Sequence, residues 1–581
     1  MLDGAPGPQL QDSVDGYASE GVNFYSHAVP LPRDPHVQSN FMSSATRYLC
    51  AGAYLDWRFA NRVIRNLIGS HRSVAPSADI DLIPIIRHCL KARKLRLTKD
   101  IILTLTLLLG ILLAFRTLVV ALVLAALLAL IPGTQPPHKS VKERVAEWSG
   151  DGAPLTIVFA LYLAYSLLQI GGSLLVRSES LTIGFPAEPF PYFRIFYFCL
   201  IAFALGFFSY NRYRTLGVWL RPGAMAPKFG WSSRRVEDRL MFIDGAQRGN
   251  LMLYDENPFL GAAGKNLPGS GVGGREWGIE IDLTRVGSRM ATVHEGIDPV
   301  EIHEALNRRL LQLNDPELRV NQRIIEISVG GHVVAEGRLP WRSPLIDQVR
   351  KIPYSQASVD AVTALIRTPQ ARLRHYQRVS ISDGGQAVLA LGRPVIDPVA
   401  QETVVSAFVH IAVAGHTFYL HFVSTFLPPI DDRYRTIDML PVPGSRKFVT
   451  LVAIEAARTA FAELAGAPLR ICQTLWGMWQ DSMEYHEEAS RELHFAYADL
   501  GAISSVRQLG TRDGARTFDQ GLDATKYTRV IERVVLDTVL DFLTEKGVDT
   551  TVYQQQAQSV VNHGVMVTGN VQGSTVRVTR Q

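Results

Sequence analysis

The sequence predicts an α+β protein built onto a helical transmembrane unit, and three observations predict it. Residues 101–132 are an almost unbroken aliphatic run with one charge, Arg116, at the midpoint. Lysine- and arginine-rich segments flank the apolar region on both sides. From about residue 240 the apolar residues alternate instead of running together, in hairpin-like pairs with amphipathic helices between them. The fold class that follows is a hairpin plus two membrane spans, then a cytoplasmic, mainly antiparallel α+β domain, then a helical C-terminal extension.

Composition narrows the class. The chain has 581 residues, 47% of them hydrophobic, and a net charge of +5. Its mean hydropathy is +0.08, too low for a protein that is membrane throughout. The charge is mild and gathers beside the apolar runs, so nucleic acid is not an expected partner. Cys50, Cys89, Cys199 and Cys472 are far apart and form no CxxC pair, which argues against structural zinc and a disulfide framework. The early Asp3 and the lack of an apolar run argue against a signal peptide.

Taken in order, residues 1–40 are rich in Gly, Pro, Asp and Ser and read as a disordered leader. Residues 41–100 read as a cytoplasmic helical region. There Tyr48, Leu49, Leu55, Phe59, Val63, Leu67 and Ile68 recur at helical spacing, and Ser77 or Asp79 is the expected cap of the next helix. Arg93, Lys94, Arg96 and Lys99 precede the apolar run, which places the N-terminal side in the cytoplasm. The transmembrane region spans 101–211, with membrane segments at 101–115, 117–132, 155–176 and 195–210. A single helix over 101–132 is about 48 Å long at ~1.5 Å per residue, against a hydrocarbon core of about 30 Å. A hairpin with Arg116 at its tip lets that charge reach headgroups. Arg212 and Arg214 follow the last span and place the C-terminal side in the cytoplasm as well.

Residues 240–445 read as the α+β domain. It has expected hairpin turns at Gly330-Gly331, near Asp383-Gly384-Gly385 and at Ala414-Gly415-His416. Residues 446–547 read as the helical extension, and 548–581 as a flexible tail with a short β motif.

The chemical signals are sparse. Gly264-Lys265 sits in a glycine-rich loop, but a phosphate loop would need glycine where Phe259 stands and Ser or Thr where Asn266 stands. His294-Glu295 and His303-Glu304 lack the HExxH spacing, and the acidic and histidine cluster at 484–494 lacks a closing pair. No GxSxG is present. Asp431, Asp432, Arg433 and Arg435 read as an ion-pair cluster, and Trp476 with Trp479 as core or interface anchors. No catalytic, cofactor-binding or metal-binding residue is assigned.

The tail, VVNHGVMVTGNVQGSTVRV, interleaves valine with Asn, Gln, Gly and His. Val561, Asn562, Gly564, Val567, Gly569, Asn570, Val571, Gln572, Gly573 and Val576 carry a resemblance to amyloid-type, RIP-homotypic-like signalling motifs of bacteria. That resemblance implies self-assembly by in-register stacking, through Asn562, Gly564, Val567, Asn570, Val571, Gln572 and Val576. The remainder resembles polytopic membrane proteins of high-GC bacteria, which implies no activity.

The function expected from the sequence is a membrane-anchored adaptor or signalling protein. It would sit in the inner membrane as a multi-pass protein with both termini cytoplasmic, its domain recruiting a cytoplasmic protein partner or assembly. Expected partners are the lipid bilayer, that protein, and further copies through the tail or the spans. The alternatives are a membrane-damaging stress or cell-death effector controlled by the tail, or an envelope receptor if the domain lies outside.

Overall fold

The computed structural model describes residues 23–30, 42–76, 79–113, 115–128, 193–222, 233–254, 270–283, 296–319, 322–370, 372–382, 388–390, 393–396, 402–494, 497–512 and 514–562. The N-terminal half is a helical layer of α1 (Ser44–Leu55), α2 (Trp57–Leu67), α3 (Leu82–Leu113), α4 (Phe115–Leu128), α5 (Phe193–Trp219) and α6 (Arg234–Ala246). Ser43 caps α1 by accepting from the Thr46 amide, and Asp56 caps α2 by accepting from Arg58 and Phe59. Leu49, Phe59, Val63, Ile85, Ile86, Leu216 and Ile243 close this layer around one core. Asp79 is not the cap of α3. It stands in the left-handed region at φ 60°, its carbonyl accepts from the Ser43 hydroxyl at 2.7 Å, and Asp81 accepts from the Ile83 amide instead.

No transmembrane unit is found among the described residues, and the expected multi-pass membrane location is corrected with it. No helix among the described residues is long and apolar enough to cross a membrane. The apolar part of α3, from Ile101, ends at Leu113, about 20 Å at ~1.5 Å per residue. Helix α4 stops at Leu128 after 14 residues. The 195–210 segment is the middle of α5, whose ends carry Arg194, Arg212 and Arg214. The 155–176 segment lies outside the described residues.

What the apolar helices face instead is α9 (Arg446–His494), a 49-residue helix that passes through Pro468. Leu103 of α3, Leu118 and Leu122 of α4, Tyr197 and Ile201 of α5, and Phe461 and Leu464 of α9 form one cluster. The Tyr197 hydroxyl donates to the Thr106 carbonyl at 2.9 Å and closes against Gly110, where a Cβ would stand 2.0 Å from its oxygen.

The cationic flank is corrected for the same reason. Lys99 pairs with Glu463 of α9. The Arg470 guanidinium bonds Asp100 at 2.9 and 3.1 Å and Glu463 at 3.0 Å. Asp100 is 1% exposed. Burial raises the Glu463 carboxyl, but Lys99 and Arg470 together hold it below the usual carboxylate range. Arg93 and Arg96 line a small space between α3 and α9 with Trp57 and Gln473. Arg212 is half-buried and Arg214 exposed at the far end of α5, and Arg116 lies in the first turn of α4. Among these charges Lys99 and Asp100 join α3 to α9.

The rest of the chain is organised by a mixed six-stranded sheet. Its strands are β1 (Leu251–Tyr254), β2 (Val272–Asp282), β3 (Ile327–Glu336), β4 (Leu373–Ser382), β5 (Val404–Ala414) and β6 (Thr417–Leu427), in the order β1-β3-β4-β5-β6-β2. The β1–β3 pair is parallel and the others are antiparallel. One face is sealed by α7 (Pro299–Leu311), α10 (Phe518–Glu545) and α11 (Thr551–Asn562). The core on that side holds Ile279, Leu306, Val379, Val409, Phe422, Val535 and Tyr553. The β5–β6 hairpin turns at Gly415-His416, with Ala414 opposite Thr417 and Gly415 at φ 60°.

The expected hairpin at Gly330-Gly331 is corrected, because β3 runs straight through both glycines and pairs them with Arg378 and Gln377 of β4. They give clearance: a Cβ on Gly331 would lie 2.9 Å from His375 Nε2. The tail assignment is corrected over 551–562, which are helical in α11. Buried Glu532 fixes that helix against β2. It accepts from Arg275 Nε at 3.1 Å and Trp277 Nε1 at 2.7 Å, while Arg275 also donates to the Val560 carbonyl.

Asp100 is the buried anion between α3 and α9. Asp100→Ala is expected to lower unfolding free energy by about 3–5 kcal/mol, measured by denaturant titration. A loss within about 1 kcal/mol would mean that apolar packing alone holds the two helices.

Candidate functional site

Side chains alternate between the faces of a strand, so the face opposite the helices carries the even-numbered residues of β3, β4 and β5. The registers put Ser328 beside Ser380 and Ser380 beside Ser406. The next row is Gly330, Arg378 and Phe408, and the next pairs His332 with Tyr376. Gly330 has no side chain, and a Cβ there would meet nothing within 4 Å. Arg378 therefore stands beside a gap, with its guanidinium 5.7 Å from the centre of the Phe408 ring.

The gap is the floor of a cleft of about 360 Å³. Ser328, Gly330, His332, Arg378, Ser380 and Ser382 line the floor, and the wall is Pro76, Asp79 and the Gln247–Asn250 turn after α6. Gln247 donates to Asp81 and Asp244 and accepts from the Leu82 amide at 2.9 Å. Asn250 makes a two-way clamp on the backbone of Ala357, at 2.7 and 3.1 Å. Arg248 pairs with Asp244 at 3.1 Å. The polar side chains of the Gln247–Asn250 turn are thus engaged in holding the fold.

On the floor, Arg378 and His332 keep polar atoms without a protein partner. Arg378 donates from Nε to the Ser380 hydroxyl at 3.1 Å, and no carboxylate among the described residues pairs with it. Burial pulls its pKa down to about 10, so it keeps its charge at neutral pH. His332 is 4% exposed, and its Nε2 has no hydrogen-bond partner. Burial, with the nearby Arg378 charge, pulls its pKa down to about 3, which keeps the imidazole neutral. At the rim the Ser382 hydroxyl donates to Glu326 at 2.7 Å. The cleft thus holds a charged guanidinium with no carboxylate partner, next to an imidazole whose Nε2 is buried without one.

Strands β3 to β6 and helices α7, α9, α10 and α11 fall within residues 276–576, just over half the chain, and a family model described as AbeC-like domain matches this stretch. The chain belongs to the AbeC-like domain family. No curated protein and no solved structure matches it. The AbeC-like domain supplies the floor of the cleft, and the helical layer before it supplies the wall. The match runs through Val576, so the tail belongs to the pattern of the domain.

The residues expected from the sequence do not meet in this cleft. Arg93, Lys94, Arg96, Lys99, Arg212 and Arg214 belong to the helical layer. Of the self-assembly set, Asn562 closes α11, and Gly564, Val567, Asn570, Val571, Gln572 and Val576 lie outside the described residues. The expected ion-pair cluster is present: Arg433 pairs with Asp431 at 2.7 Å, Arg512 with Asp432 at 2.7 Å, and Arg435 with Glu402 at 2.8 Å. His303 is buried on the helix side of the sheet, its Nδ1 2.9 Å from Gln377 Oε1. Among the described residues no group of histidine, cysteine and carboxylate side chains is placed to hold a metal ion. Arg378 and His332 carried no sequence signal except the alternation Tyr376-x-Arg378-x-Ser380 on one face of β4.

Two expectations follow. Arg378 neutralises no carboxylate, so Arg378→Met is expected to change stability by no more than about 1 kcal/mol; a loss above about 2 kcal/mol in urea would mark it as structural. The second concerns acid. Burial lowers His88 to about 3, His303 to about 4, His332 to about 3 and His375 to about 2. The unfolded chain binds these protons near pH 6.5 and the fold does not. Their contribution is therefore complete above about pH 6.5 and declines as pH falls, by up to about 1.4 kcal/mol per pH unit per histidine. Urea midpoints at pH 7.5 and 5.5 test this, and a midpoint that does not fall would refute it.

Proposed function

We propose that this AbeC-like protein is a signalling adaptor that works by binding, with the cleft on the open face of the sheet as its ligand site. The observation that carries the reading is the Arg378 guanidinium without a carboxylate partner, beside the orphaned Nε2 of His332, in a cavity already formed. Binding is favoured over turnover by what surrounds them. The Ser380 hydroxyl bonds Arg378 and Ser406, and no histidine bonds a cleft serine among the described residues. The Ser382–Glu326 pair sits on the exposed rim, where water competes for both groups.

The partner-recruiting half of the reading is supported by the surface of the helical layer. Trp476 and Trp479 on α9 are 59% and 50% exposed, with ring centres 5.0 Å apart. Leu475 and Met483 are exposed along the same helix, as are Leu105, Leu112 and Phe203 on α3 and α5. Apolar surface of this extent marks an interaction site, and tryptophan is enriched among residues that anchor protein interfaces. A protein partner or a second copy of the chain fits this surface.

The test is to incubate the purified full chain with a cell metabolite extract, recover it by filtration and identify what it retains. The expected result is a compound held by the wild type, lost from Arg378→Met, and released chemically unchanged. A product that accumulates only with the wild type would overturn the binding reading in favour of an enzyme.

A further inference from the structure

The exposed surface of α9 names its own kind of partner, and this step rests on the partner-recruiting half of the reading above. Ala460, Phe461, Leu464 and Ala467 pack α9 into the helical layer, and Ala467 is the last of its described residues to be buried. From Pro468 to Gln480 none is buried. The helix nevertheless runs on to His494, about 40 Å at ~1.5 Å per residue. A helix without a covering neighbour is marginal in water, because most helical stability comes from packing one apolar face. This stretch has such a face. Leu469, Cys472, Trp476, Trp479 and Met483 recur at spacings of three, four, three and four. At ~100° per residue they fall within an arc of about 80°, with Arg470, Thr474 and Gly477 on the opposite side.

Alternating steps of three and four are the seam of a coiled coil, which takes a second helix with the same seam. The exposed part of α3 defines no such line, since residues 101–113 are apolar at nearly every position. Leu469, Leu475, Trp476, Trp479 and Met483 are between 45% and 60% exposed, and together they offer roughly 600 Å² per chain. Two copies then bury about 1,200 Å², where stable interfaces begin. Identical stripes facing each other across a two-fold axis are self-complementary and close the assembly at two. We propose that α9 is a dimerisation helix, its seam from Leu469 to Met483 packed on the same seam of a second copy of the chain. Trp476 and Trp479, with ring centres 5.0 Å apart, are its anchors.

The experiment is sedimentation equilibrium on the purified full chain, from about 1 to 100 µM. A reducing buffer keeps the exposed Cys472 from linking copies covalently. The expected result is a reversible dimer, twice the 64.3 kDa of one chain. Trp476→Glu places a charge in the seam and should leave a monomer, whereas Trp476→Leu, apolar and compatible with the seam, should keep the dimer. Trp479→Ala should weaken association about tenfold or more. Leu112→Ser, at an exposed position on α3, should associate as the wild type does. A wild type that stays monomeric at about 100 µM overturns the proposal and leaves the stripe to a different partner. A dimer that survives Trp476→Glu, or one that is lost with Leu112→Ser, overturns it as well. In each of these cases the retention of a compound by the cleft, measured separately, still decides the binding reading on its own.

Discussion

The structure depends on one constraint: a six-stranded sheet sealed by helices on one side and covered on the other except at the cleft. Helices α7, α10 and α11 cover one face, so every position on that face is apolar or must satisfy its polar atoms internally. Val379, Ile381, Val409, Ile411, Leu420 and Phe422 meet the first condition. Gln377 and His303 meet the second in part by bonding to each other, while His303 Nε2 and His375 Nδ1 stay without a partner. Since side chains alternate with a period of two, fixing that face hands the other to Ser328, His332, Arg378, Ser380 and Ser406. The cleft is what remains when a helical layer approaches this second face at one end and meets polar side chains and a glycine.

The helical layer follows a different logic. Its apolar segments are long enough in sequence to suggest lipid, and α9 supplies the surface they face. The charges beside those segments, Lys99 and Asp100, meet Glu463 and Arg470 on α9. A buried network of this kind adds little net stability over an apolar substitute. It does penalise alternatives: sliding α9 by one turn against α3 would take Arg470 away from Asp100 in a dry site. Within this layer the ion pairs set the register and the aliphatic side chains supply the attraction.

How much of this was legible in the sequence depends on how local each signal is. The β5–β6 hairpin was legible because its turn, Gly415-His416, and the alternation on both sides lie within one short stretch. The Arg433–Asp431 pair was legible for the same reason, whereas Asp432 and Arg435 find Arg512 and Glu402 outside the segment. The Gly330-Gly331 pair misled because a glycine pair also serves where backbone and a side chain come close. The partner that needs the space is His375, more than forty residues away. The apolar run at 101–132 misled in the same way, since its partner residues Phe461 and Leu464 lie more than three hundred residues downstream. Arg378 was illegible because its meaning is an absence: nothing in the sequence tells which arginine will face no carboxylate.

The position of the cleft gives it mechanical reach. Its wall is held by Gln247, whose one side chain bonds the Leu82 amide, Asp81 and Asp244. Leu82 begins α3, and α3 carries Lys99 and Asp100 to the network on α9. A continuous helix transmits displacement along its axis with little loss, because its backbone bonds are satisfied internally. The turn that closes the cleft is therefore fastened to the start of a rod whose far part sits among the helices that carry Trp476 and Trp479. A ligand that shifted the Gln247–Asn250 turn would pull on Leu82 and, through α3, on the helices that present the exposed apolar surface. The adaptor proposed above would need this connection, with a small molecule at one end and the exposed surface at the other.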